Sequence, residues 1–266
     1  MIEKIMDAIN TVHRVNPLIH QITNYVTAND CANITLAIGA SPVMAQDANE
    51  VEEMVAHAKA LVINIGTLQS NTIDAMFVAA KRAKMLSIPI VFDPVGVGAT
   101  KYRTTIAKRF IAEISPDIIR CNMSELKILC GMDTMVKGVD SVAEATGGEA
   151  AAKQLAKRIN GVVAVTGKVD LITDGNHMAK IENGDILLTK VTGTGCMTTA
   201  ITACFAGVSN PFIGAIAGIA CMSIAGEVAA ESLESSEGIG TFKIRLMDAI
   251  FHLDARMIEQ RIKIRI

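Results

Sequence analysis

The sequence predicts a three-layer α/β/α fold, with helices covering both faces of a mostly parallel central sheet. Three observations carry this. Apolar, β-branched runs of strand length recur at residues 61–65, 88–92, 117–121 and 162–166. Longer stretches with helical spacing lie between them. Each run stops at a polar or glycine step: Gly66-Thr67, Asp93-Pro94, Asn122 and Gly167. Short apolar strands alternating with helices belong to parallel sheets that are covered on both sides.

Taken in order, residues 2–13 set Ile2, Ile5, Met6, Ile9 and Val12 on one helical face. Residues 17–26 read as a short strand that runs into a loop near Asn24. A helix follows over about 30–37. Residues 39–44 break that helix and lead to a short extended piece. Asn49 with Glu52 suggests a capped start for a helix ending near Lys59. Ser70 stands where it can cap another helix, running to about Leu86. Further helices are expected at 104–113, around 123–130, and at 141–159. Residues 169–173 and 177–181 flank Asp174-Gly175-Asn176, which reads as a hairpin turn. The C-terminal third is mainly helical, and its last helix is expected to carry Met247, Ile250, Phe251, Met257 and Ile258 on one face.

The chain has 266 residues and shows no linker, repeat or low-complexity segment, so one domain over 1–266 is expected. It is 50% hydrophobic and carries a net charge of -2 without a long run of one sign. A nucleic-acid partner normally requires a basic face, and aromatics at 3% leave little for base stacking. The most hydrophobic stretch, 211–226, is shorter than the roughly 20 residues of a membrane span and rich in Gly and Ala. It reads as a tightly packed core helix capped by Asn210, with Pro211 at its first position and no membrane involved. Six cysteines form no C-x-x-C pair and no zinc spacing. With no basic-then-apolar leader, the expectation is free thiols in a reducing cytoplasm.

Chemistry gathers around Val191-Thr192-Gly193-Thr194-Gly195-Cys196. A glycine turn that opens a helix presents unpaired N–H groups suited to an anion such as phosphate. Two familiar alternatives fail. A dinucleotide fingerprint would need glycine where Thr198 stands, and the stretch from Gly161 to Lys168 has the wrong spacing for a P-loop. In parallel sheets, ligands sit at the carboxyl ends of the strands. There, Asp93 and Glu125 can hold a hydrated Mg²⁺. Arg120 can neutralise phosphate oxygens, and Thr166 can bond a phosphate or nucleotide. Each also has a plain structural reading: Asp93 as a strand end, Glu125 as a first-turn helix residue, Arg120 as a solvated edge. The histidines form no constellation, and His20 reads as structural.

The glycine turn, Asp93-Pro94-Val95-Gly96 and Asn122-Met123-Ser124-Glu125 together resemble the hydroxyethylthiazole kinases of the ribokinase-like superfamily. Residues 16–26, 40–44 and Gly240-Thr241-Phe242 extend the resemblance over nearly the whole chain. It implies ATP-dependent phosphorylation of the primary hydroxyl of 4-methyl-5-(2-hydroxyethyl)thiazole, in thiamine biosynthesis and salvage. It also implies Mg²⁺, and a homotrimer with active sites at subunit interfaces. By the same resemblance, Arg120 and Thr166 contact ATP, with Gly167 beside them. Asn122 and Glu125 lie in the superfamily's metal and phosphate motif, and Asp93 is on the metal side. Met44 and Gly193 contact the thiazole, with Asn24 and Val26 beside it. Gly193, Thr194, Gly195 and Cys196 form the catalytic turn.

Many superfamily members carry Asp where this chain has Cys196, as the base on the alcohol. The thiazole kinases carry Cys. A thiol at a helix N-terminus can have a lowered pKa, so a proton-accepting thiolate is one expectation. Phosphoryl transfer depends mostly on positioning and charge neutralisation, so Cys196 is expected to help modestly and the anion turn to matter more. The rival readings are a kinase of another small alcohol such as hydroxymethylpyrimidine, a nucleotide-dependent dehydratase, and a metabolite-binding protein without turnover.

Overall fold

The computed structural model describes residues 1–132 and 141–266. In chain order the elements are α1 (Ile2–Val15), β1 (Leu18–Ile22), α2 (Ala28–Ala37), β2 (Ser41–Val43), α3 (Val51–His57), β3 (Ala60–Asn64), α4 (Ser70–Met85), β4 (Ile90–Asp93), α5 (Lys101–Ile114), β5 (Ile118–Asn122), α6 (Met123–Leu129), α7 (Ser141–Ile159), β6 (Val162–Thr166), β7 (Asp170–Thr173), β8 (Met178–Ile181), α8 (Thr194–Ala206), α9 (Pro211–Glu231), α10 (Ile239–Phe251), α11 (Ala255–Arg261) and β9 (Ile264–Arg265).

The strands form one sheet in the order β2-β1-β3-β4-β5-β6-β7-β8-β9. From β2 to β6 the pairing is parallel, and β7, β8 and β9 add antiparallel strands at one side. Side chains on successive strand residues point to opposite faces, and β3 divides accordingly. Its Ala60 and Val62 join the core built with α1, α8, α9 and α10, whereas Leu61 and Ile63 join the core built with α3, α4, α5 and α7. The expected three-layer arrangement with a mostly parallel sheet is therefore present.

Helix α9 is long and apolar enough to cross a membrane by length and composition, yet most of it is buried within the protein. Asn210 Oδ1 caps it by accepting from the N–H of Ile213 (3.0 Å), and Pro211 fills the first position, where a missing N–H costs nothing. The capping readings at Asn49 and Ser70 do not hold. Asn49 does not cap α3: its N–H and amide both donate to Asp47 Oδ1, and the helix starts without a side-chain cap and ends at His57. Ser70 is the first residue of α4, not its cap. The final helix expected from periodicity is two helices. Asp254 caps α11 through the N–H of Met257, and Phe251 is exposed at the end of α10. The two-residue strand β9 escapes sequence reading because it is too short to show any period.

Candidate active site

Six parallel strands end side by side, and the predicted residues lie along that carboxyl edge. From one end they are Met44 after β2, Asn24 after β1, Asp93 on β4, Arg120 and Asn122 on β5, and Thr166 with Gly167 at β6; Asn64 on β3, which the sequence did not single out, stands between Asn24 and Asp93. Helix α8 approaches the middle of this row. Its N-cap is Gly193, at φ 88°, in the left-handed region where a side chain would be strained. The first intrahelical bond runs from the N–H of Met197 to Gly193 O (2.8 Å), so the N–H groups of Thr194, Gly195 and Cys196 lie outside the helix ladder. Thr194 anchors the turn by donating from Oγ1 to Leu188 O (2.8 Å). At Gly195 a methyl group would lie 2.7 Å from Arg120 Nη1, so the missing side chain lets the guanidinium reach the turn.

Beneath the turn is a dense polar cluster. Asn24 Nδ2 donates to Asn64 Oδ1 (3.0 Å), and Asn64 Nδ2 donates to Asp93 Oδ2 (2.9 Å). Thr199 Oγ1, one turn along α8, donates to the same carboxylate oxygen (2.7 Å). Asn24 and Asn64 also donate to Cys196 Sγ, at 3.3 and 3.2 Å. Thr27 closes the far side by donating from N and Oγ1 to Asn24 Oδ1, both at 3.1 Å. Asp93 is completely buried, and its Oδ1 has no hydrogen-bond partner; it faces Arg120 Nη1 at 3.8 Å. Burial outweighs Arg120 and the two donors and pushes the Asp93 carboxyl up to about 6.

The expected lowering of the Cys196 pKa does not occur. Burial of the thiol, with the nearby Asp93 charge, raises it, and donation from Thr27, Asn64 and Asn24 offsets only part of this. The helix N-terminus is outweighed by desolvation and a neighbouring anion.

Arg120 extends from the cluster into a cleft of about 620 Å³. Its Nη2 donates to Thr166 Oγ1 (2.6 Å). Arg120, Asn122, Thr166 and Gly167 all line this cleft, together with Thr194 and Gly195 from the glycine turn. Ile186, Leu188, Ile219 and Met222 supply apolar wall, and Lys168 and Asp170 add charge. Asp170 accepts from the N–H of Gly167 (2.9 Å) and from Ser223 Oγ (3.2 Å), and burial raises its pKa to about 6.

Glu125 combines its two readings. Asn122 and Glu125 form a capping box at the start of α6: Asn122 Oδ1 accepts from the N–H of Glu125, and Glu125 Oε2 accepts from that of Asn122, each at 2.9 Å. Glu125 Oε1 accepts from the N–H of Gly96 (3.0 Å). Among the described residues no group of three His, Cys, Asp or Glu gathers to hold a metal directly. The donor set nevertheless fits Mg²⁺, which keeps several waters and takes one or two carboxylates. Asp93 has an orphaned oxygen, Glu125 is near enough to act on its charge, and each Glu125 oxygen keeps a lone pair.

The structure brings Asn24 onto Cys196 but leaves Val26 56% exposed and Met44 partly exposed. Sequence reading missed Asn64, Thr27 and Thr199. The available signal for Asn64 was a single amide in an otherwise apolar run, at the position where that strand ends.

Comparison with known proteins places the chain in a family. The family model described as the hydroxyethylthiazole kinase family matches residues 9–256. A hydroxyethylthiazole kinase of Clostridium beijerinckii is 47% identical, over 98% of this chain and 97% of that one. The solved structure of the hydroxyethylthiazole kinase protein from Pyrococcus horikoshii superposes with a TM-score of 0.91 at 37% identity, covering 99% of this chain and 98% of that one. A ribokinase-like superfamily protein from Enterococcus faecalis shares the fold alone, at TM-score 0.64 and 11% identity, over 88% of this chain and 86% of that one. The chain belongs to the hydroxyethylthiazole kinase family.

Proposed function

We propose that this enzyme transfers the γ-phosphoryl group of ATP to the primary hydroxyl of 4-methyl-5-(2-hydroxyethyl)thiazole, in thiamine biosynthesis and salvage. The observation that carries the mechanism is the meeting of three things at Gly195: unpaired helix N–H groups, the Arg120 guanidinium, and the Asn24–Asn64–Asp93 cluster. ATP lies in the cleft beside Arg120, Thr166, Asn122 and Gly167. The thiazole lies on the Cys196 side, against Asn24 and Gly193. The alcohol oxygen attacks the γ-phosphorus, and the bond from that phosphorus to the bridging β-oxygen breaks. Arg120 and the N–H groups of Thr194, Gly195 and Cys196 receive the charge that spreads over the phosphoryl oxygens.

Cys196 works as a neutral thiol. With its pKa raised, it is a poor acceptor for the alcohol proton, which leaves late, to an oxygen of the transferred phosphate. Its contribution is to fit and orient the hydroxyethyl arm. Mg²⁺, which neutralises phosphate charge when bound, would be held by Asp93 and Glu125.

In this reading the protein is a cytoplasmic homotrimer with interfacial sites. Tyr25 and Val26, next to Asn24, are exposed apolar side chains. Leu36 on α2 and Ile244 on α10, two helices that pack together, are also exposed apolar side chains. A second subunit covering Val26 and Met44 would complete the thiazole pocket.

The test is product mass. Purified protein is incubated with Mg-ATP and hydroxyethylthiazole, with hydroxymethylpyrimidine in a parallel tube. Gain of one phosphate on the thiazole alone is expected. No gain on either compound from folded protein would overturn the reading in favour of a binding protein.

A further inference from the structure

Asn64 and Asp93 are paired across β3 and β4, and both end their strands. Beyond that pair, the N–H of Ile65 donates to Asp93 O (3.2 Å), and a side chain adds a further constraint on the two loops that follow. Arg103, in the first turn of α5, supplies it. Its own N–H donates to Thr100 Oγ1, the cap of the helix, which fixes where the side chain starts. The guanidinium then reaches back over the carboxyl edge of the sheet. Nη1 donates to Ile65 O and to Val95 O (3.1 Å), and Nη2 donates to Gly66 O (2.8 Å).

All three acceptors are main-chain carbonyls in the two loops that follow Asn64 and Asp93. The constraint passes directly to the cluster, because the N–H of Gly66 donates to Asn64 Oδ1 (2.9 Å) and Asn64 in turn donates to Asp93 and Cys196. It also reaches Glu125, which accepts from the N–H of Gly96, the residue after Val95. A planar guanidinium presents its donors in a rigid fork, so it can fix the relative position of two loops. An ammonium is a compact charge and does not reproduce that spacing.

We propose that Arg103 is a positioning residue for phosphoryl transfer: it ties the β3 and β4 loops together and thereby sets Asn64 and Asp93 under the thiol of Cys196. It does not line the cleft that contains Arg120 and Thr166, so its loss acts on the transfer step and not on nucleotide binding. The turnover part of the inference rests on the kinase reading above. The geometric part stands without it.

The experiment uses wild type, Arg103→Met and Arg103→Lys, with folding checked by circular dichroism and both assays run well below each melting temperature. Two quantities are read: steady-state kinetics, and the rate at which Cys196 is alkylated by iodoacetamide without nucleotide, followed by peptide mass spectrometry. In Arg103→Met, kcat is expected to fall at least tenfold while KM for ATP stays within twofold. Alkylation of Cys196 is expected to change at least threefold as its amide donors loosen. Arg103→Lys should recover part of kcat. If the methionine variant does not fold, the lysine variant is read alone, with kcat down at least threefold and the same alkylation criterion.

The proposal is overturned by kcat within twofold of wild type in a folded variant, by Cys196 alkylating at the wild-type rate, or by a KM for ATP that rises as kcat holds. Absence of turnover in wild type would count against the kinase reading, and the alkylation rates would then decide the role of Arg103 by themselves.

Discussion

The two halves of the site are built in opposite ways. On the Cys196 side, Asn24, Thr27, Asn64, Asp93 and Thr199 are all buried and bonded to one another. On the Arg120 side there is an open cleft lined by both apolar side chains and polar or charged ones. The first half holds fixed dipoles where charge develops, at the cost of desolvating a carboxylate. The second leaves room for a large ligand that brings its own charge. In this reading the closed half governs kcat and the open half governs the KM for ATP, and that division can be tested residue by residue.

The largest effect is expected at the junction. Gly195→Val places a branched side chain against the Arg120 guanidinium, so it disturbs both halves at once. Its kcat/KM for ATP should fall by a factor of ~10³ or more. Cys196→Ala should lose less than tenfold in kcat, and equal losses in the two variants would show that the thiol matters as much as the anion turn. Next comes Asn64→Ala. It removes the donors to Asp93 and Cys196 and leaves buried partners unsatisfied. About a tenfold to hundredfold fall in kcat is expected, with KM for ATP unchanged, from steady-state assays. A rise in KM for ATP instead would break the division.

Thr166→Val should do the reverse. It removes the acceptor for Arg120 Nη2 in the cleft, and KM for ATP should rise about tenfold with kcat little changed.

The last effect concerns stability and not the division between the two halves. Burial raises the Asp170 carboxyl to about 6, against about 3.9 in an unfolded chain. Between these values the folded state keeps a proton that the unfolded state has released. Its contribution to stability therefore falls as pH rises from about 4 to about 6 and stays low above. Asn at this position can still accept from the N–H of Gly167 and bond Ser223. Asp170→Asn should thus gain about 1 to 3 kcal/mol over wild type at pH 8, shrinking toward pH 5 in urea titrations. A gain that is independent of pH would assign the effect to packing.

Much of the frame was legible in the chain. Apolar runs with period-free burial, helical spacing between them, Asn210-Pro211 and the Asn122…Glu125 pair each report local physics that acts over a few residues. Arg120, Asn122, Thr166 and Gly167 were found because strand ends on a parallel sheet are where ligands sit, and all four line the cleft. Asn64 at the end of β3, Thr27 in the turn before α2 and Thr199 inside α8 were passed over because their partners are distant in the chain and the local pattern around each is ordinary. Arg103 was invisible for the same reason: its acceptors are carbonyls, which carry no residue identity.

The sequence by itself determined the layers, most element positions and the glycine turn, since backbone propensity, capping and burial period are properties of neighbours in the chain. Only the tertiary structure decided that β1 lies between β2 and β3, which brings Asn24 to Asn64 and, from 172 residues away, to Cys196. It also decided the ionisation of the site. A helix N-terminus favours a thiolate, but the burial and the Asp93 charge that overrule it exist only once distant strands have packed together.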